Sequence, residues 1–161
     1  HGREGEIIKV GSSLIKQSEP IPQDVINIHG ITNEKCEKEG RELTEVLNEF
    51  AQDVSGCQRF VAHNVSFDKK IIETEYIRSE LPKPFKGMTN YDTMEMGRAY
   101  LEQRKPPKLV ELYSALFNGP PSNEIPLHRA GGDVALASQC FFLMKLSGKL
   151  TYLNNTTIVK Q

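Results

Sequence analysis

No run of apolar residues in this sequence approaches the length needed to span a bilayer, so no membrane partner is expected. No secretory signal is visible either, and an intracellular location, cytoplasmic or nuclear, is expected. Excess charge is also missing: formal net charge is −1. A protein that wraps duplex DNA by broad phosphate neutralisation is usually more basic, whereas one that grips a few nucleotides at a chain end need not be. Cysteine is scarce. Cys36, Cys57 and Cys140 are odd in number and fit no zinc spacing. Cys140 lies in an apolar helical run and reads as a buried free thiol, which suits a reducing compartment. What remains is ordinary globular material, 38% hydrophobic and 25% charged over 161 residues, enough for one core.

Local patterns alternate after a strand-rich beginning. Glu6 to Ile15 (EIIKVGSSLI) reads as a strand with a bend at Gly11. Pro20 and Pro22 hold Ile21 extended, and Thr32 or Asn33 could cap a short turn after His29-Gly30. Leu43, Val46, Leu47, Phe50 and Val54 follow one helical face that ends at Ser55-Gly56. Arg59 to Ala62 is a short buried strand. A helix follows from about Phe67 to Leu81, stopped by Pro82 and Pro84. Asp92 is placed to cap the next helix. Leu109, Leu112, Tyr113 and Leu116 mark another, and the last strong helix runs from about Ala130 to Leu146. The domain is expected at 1–146, with 147–161 as a tail or linker. Helices alternating with short apolar strands suggest a mixed sheet flanked by helices.

Two carboxylates and one imidazole stand out. Asp133 shares a helical face with Ala137, Cys140, Phe141 and Met144, where a carboxylate is expensive unless something compensates it. The helix N-terminus supplies roughly 0.3–1 kcal/mol, and a bound cation would supply more. A plain N-terminal capping acid is the alternative, and helix geometry alone favours it slightly. Asp68 follows a buried strand and precedes Ile71 and Ile72, so it leaves its helix beside an apolar surface at a strand end, where sites form in open sheets. A plain N-terminal helix acid is again the alternative, and taken alone the residue favours it. His128 precedes Asp133 by five residues and could act as a base near neutral pH. A loop histidine bonded to backbone is the alternative.

Taken together and in order, these strings resemble the DEDDh branch of the DnaQ-like 3′–5′ exonucleases, of the ribonuclease H-like superfamily. The PIP…IHGIT stretch, VAHNVSFD, the YDT segment with KLVELYSALF, and HRAGGD each look like a segment of that family, from about Glu6 to Leu146. The resemblance implies an α/β ribonuclease H-like mixed sheet and two Mg²⁺ or Mn²⁺ ions acting at the scissile phosphate. Asp68 and Asp133 take metal-ligand positions and His128 that of the base. Asn64 and Phe67 shape the pocket for the 3′-terminal nucleotide, with Phe67 as a packing or stacking surface. His29 borders that pocket or simply holds its own turn. The implied partners are a single-stranded 3′ end of DNA or RNA and a polymerase subunit or fused polymerase domain.

One part of the pattern is not found. The family's opening strand carries an Asp-x-Glu pair, and only five residues precede Glu6. Glu4-Gly5-Glu6 has the spacing but reads as a solvated pair. The usual hairpin between the second and third strands is also short here, with a join near Gly11-Ser12. The leading expectation is that residues of the natural polypeptide lie outside this sequence, and enzyme activity is conditional on an acidic pair there. The alternative is a catalytically inactive module of the same fold that binds nucleic acid or a protein partner.

Overall fold

The computed structural model describes residues 1–2, 5–122 and 130–150. His128 and the tail from 151 therefore lie outside the described residues. Seven helices and two strands occur among them: α1 Gln23–His29, α2 Asn33–Glu39, α3 Leu43–Asp53, β1 Arg59–Ala62, α4 Val65–Arg78, β2 Thr89–Asp92, α5 Thr93–Tyr100, α6 Leu109–Phe117 and α7 Ala130–Leu146. No described helix is long and apolar enough to cross a membrane.

The two strands are parallel, with Phe60 opposite Asn90, Val61 opposite Tyr91 and Ala62 opposite Asp92. Successive side chains of a strand face opposite sides, and the packing follows that alternation. Phe60 meets Phe85 (ring centroids 4.5 Å apart), which also meets Phe50 of α3. Val61 and Tyr91 turn to the other side, where Tyr91 contacts Phe141 of α7 edge-on. The main core lies there, built from Met96, Leu112, Cys140, Phe141, Met144 and Leu150. Helix α4 covers the opposite face, and the hydroxyl of its buried Tyr76 donates to the carbonyl of Leu47 in α3.

Several expected elements appear closely. Helix α7 occupies the expected range, and Ala137, Cys140, Phe141 and Met144 are buried together, as the apolar face of Asp133's helix requires. Burial pushes the Cys140 thiol up to about 12, so it stays protonated and inert. Thr32 caps α2 by accepting from the Lys35 N–H.

The sheet is smaller than expected. The strand expected at Glu6–Ile15 does not form: among the described residues that segment contributes one isolated bridge, Ile15 to Arg41. Ile7, Ile8 and Val10 are exposed. The segment has strand-like side chains but no neighbouring strand to pair with, and backbone without a ladder partner bonds to water instead. Among the described residues the expected ribonuclease H-like mixed sheet is thus represented by an α/β arrangement with a two-stranded parallel sheet, in which β1 pairs along one edge only. Past α7 the chain stays packed as far as Leu150, which is buried in the core.

Candidate active site

The parallel pairing ends with Ala62 beside Asp92, so both chains leave the sheet at the same place. From β1 the chain turns through His63 and Asn64 into α4, and from β2 it passes directly into α5. Asp92 ties the two exits together. Its Oδ1 accepts the backbone N–H groups of Asn64 and of Met94, each at 2.9 Å, and its Oδ2 accepts that of Val65 at 3.1 Å. One carboxylate therefore caps α5 and also satisfies the start of α4. Asn64 can occupy its left-handed conformation (φ 75°) at modest cost because asparagine tolerates it better than most residues.

Asp68 sits in the first turn of α4 and Asp133 in the first turn of α7, both half-buried. Partial burial pushes the Asp68 carboxyl above its ordinary value of 3.8. Its own backbone N–H opposes this, the charge of Asp92 adds to the rise, His63 opposes it, and Asp133 adds again. Asp68, Asp92, Asp133 and His63 thus lie within electrostatic reach of one another at the carboxyl ends of the strands.

His63 fills the space between them. Its Nδ1 is 3.0 Å from the Thr93 hydroxyl, which also lies 3.3 Å from the Ala62 carbonyl. The backbone of Pro107 lies close enough to the ring to favour its protonated form. Burial pulls the His63 pKa below 6.5, while Asp92, the Pro107 backbone, Asp133 and Asp68 oppose that pull in decreasing order.

The substrate-facing candidates are placed differently from one another. Asn64 is half-buried in the turn, and Phe67 projects outward with 59% of its surface exposed. His29 ends α1 and its Nδ1 accepts the Ile31 N–H at 2.9 Å, so its ring holds the local turn. His63, Thr93, Pro107 and the bridging role of Asp92 escape sequence inspection. The available signal was the strand-end position of Ala62-His63-Asn64. The partners, 28 to 44 residues away, carry no local mark.

Carboxylate oxygens are the donors that hard divalent cations prefer, and the crowding that raises Asp68 is the kind a cation would relieve. The number of donors is insufficient, however: among the described residues no three His, Cys, Asp or Glu side chains are grouped to hold a metal ion. Both carboxylate oxygens of Asp92 already accept backbone N–H groups. The described carboxylates by themselves therefore do not make a metal centre.

Acids gathered beyond the carboxyl ends of parallel strands stand where ligand sites form in open α/β sheets. A family model is more specific: the exonuclease family of RNase T type matches residues 1–141, and the chain belongs to that DnaQ-like family. Members of the family generally use divalent metal ions. The chain is similar to proteins named DNA polymerase III PolC-type. The one from Staphylococcus haemolyticus is 35% identical over 96 residues, 60% of this chain and 6% of that protein. The one from Listeria welshimeri is 32% identical over 96 residues, with the same coverage. The one from Staphylococcus epidermidis RP62A is 36% identical over 94 residues, 58% of this chain and 6% of that protein. The matched stretch is therefore a small part of each relative's length.

Proposed function

We propose that this chain is the exonuclease unit of a DNA-handling protein, removing nucleotides from a single-stranded 3′ end with divalent metal, Mg²⁺ or Mn²⁺, in a two-ion site. The observation that carries the reading is the convergence of Asp68 and Asp133 on the carboxyl ends of two parallel strands, with Asp68 held above its ordinary pKa. Family membership supports the nuclease chemistry. The PolC-type relatives favour DNA over RNA, a polymerase-linked proofreading role and a location in the cytoplasm. The unit is assigned to 1–146, and the core contact of Leu150 carries its packing four residues into the 147–161 segment.

In this reading Asp68 and Asp133 are metal ligands, and His128 takes the proton from the attacking water. Asn64 and His29 border the terminal nucleotide. Phe67 offers its exposed ring to a base, a contact worth about 1–3 kcal/mol. The residues described here do not complete the two-ion site, so the reading requires further acidic ligands. The competing reading, an inactive module of the same fold, rests on that shortfall.

Stepwise shortening of a 5′-labelled single strand in Mg²⁺ or Mn²⁺, with near-complete loss in Asp133→Ala and in His128→Ala, is the expected result. A full-length protein that binds the strand but never shortens it in either metal establishes the inactive module instead.

A further inference from the structure

The segment between α5 and α6 concentrates positive charge in a chain of net charge −1. Leu101-Glu102-Gln103-Arg104-Lys105-Pro106-Pro107-Lys108 carries three cations and one acid. Arg104 and Lys105 are exposed, and neither has a hydrogen-bond or ion-pair partner among the described residues. Among the described residues Lys9, Lys16, Lys35, Arg41, Arg78, Lys83 and Arg98 are paired, Lys38, Arg59, Lys70 and Lys86 are single exposed cations without an acid, and Arg104 and Lys105 are two such cations side by side.

The loop is anchored at both ends. Lys149 donates to the Tyr100 carbonyl at 2.6 Å and pairs with Glu102 at 3.0 Å. Pro107 is buried at the other end. It packs so closely on Gly97 of α5 that a Cβ there would stand 3.1 Å from the proline Cγ. Its backbone acts on the ring of His63, the residue that also contacts Thr93 beside the acids. The anchoring leaves an exposed cationic tip within three residues of Pro107, which packs on the helix that Asp92 caps. Acids gathered without cations would repel a phosphate chain; a neighbouring fixed pair of cations offsets that repulsion.

We propose that the Arg104–Lys105 tip is a phosphate-gripping lip of the site, holding the backbone of a single strand while its 3′ end lies over Asp68 and Asp133, with His63 as the positioning residue that sets the lip against the strand ends. The proposal rests on the exonuclease reading for its orientation, but the grip itself is measurable without hydrolysis.

The test is fluorescence anisotropy of a labelled 12-nucleotide single strand with the full chain in EDTA. Arg104→Ser with Lys105→Ser is expected to weaken binding about tenfold. The slope of log K against log salt should fall by about 1.4, the release expected for two single-strand phosphate contacts. A control with the same loss of charge elsewhere, Lys35→Ser with Lys38→Ser on α2, is expected to change neither. His63→Gln is expected to weaken binding without changing the salt slope, since it loosens the loop and removes no phosphate contact. Equal weakening by the α2 control, an unchanged slope in the loop variant, or a wild type that does not bind the strand overturns the lip. A wild type that binds in this way but does not digest in Mg²⁺ or Mn²⁺ overturns the exonuclease reading and leaves the lip standing.

Discussion

Replacing Asp92 should cost this protein both stability and the geometry of its acids. The side chain accepts three backbone N–H groups, at 2.9, 2.9 and 3.1 Å, from Asn64, Met94 and Val65. In Asp92→Ala the loss of the α5 cap is worth about 1 kcal/mol. The Asn64 and Val65 donors lose an ionised acceptor in a half-buried turn, which adds about 1 kcal/mol each once access of water is allowed for. The sum is about 3 kcal/mol, or a fall in melting temperature of about 6–12 °C for a chain of this size. Asp92→Asn keeps one carbonyl oxygen and should lose only about 1 kcal/mol. Thermal denaturation followed by far-UV circular dichroism at pH 7 reads both. Asp68 begins four residues beyond the turn that Asp92 holds, so strand binding and digestion should fall in the same order. A melting temperature within about 2 °C of wild type for Asp92→Ala, corresponding to less than about 1 kcal/mol, would refute the view that this carboxylate joins the two strand exits.

The pH dependence separates the two perturbed groups. Asp68 has a raised folded pKa, so its charged form is disfavoured in the folded protein; Asp68→Asn should melt higher than wild type at pH 7, with the gain vanishing as pH falls through the raised pKa toward 3.8 and below. Melting curves across pH 3 to 8, roughly the span that brackets a carboxylate and a histidine, check this in metal-free buffer. His63 has a depressed folded pKa, so its contribution is present above 6.5 and lost as pH drops through the lower folded value; His63→Gln should flatten that acid-side loss. Tyr76→Phe removes the buried bond from α4 to the Leu47 carbonyl and should cost about 1–2 kcal/mol in urea unfolding without affecting strand binding.

Much of the helical frame was legible because it is written in local spacing. The apolar positions of α3, α6 and α7 repeat at the helical period, and Gly56 and Asn118 end α3 and α6 in conformations those residues accept. Strand β2 was not legible. Thr89-Asn90-Tyr91-Asp92 has no apolar run, and it becomes a strand only because Gln58 to Ala62 offers it a ladder. The reverse happened at Ile7 to Val10, where a strand-like pattern found no strand to pair with among the described residues. Strand formation depends on neighbours distant in sequence far more than helix formation does.

The sequence by itself determined where the acids begin their helices, since Asp68 and Asp133 each stand at the start of an apolar helical face. It also carried the family resemblance, which the match over residues 1–141 bears out. Only the tertiary structure decided that Asp92 holds the turn before Asp68 and that His63 joins that turn to Thr93 and Pro107. These contacts bridge 27 to 44 residues of chain. A hydrogen bond or a raised pKa at such separation depends on which strand ends lie side by side, and spacing along a single chain cannot record that.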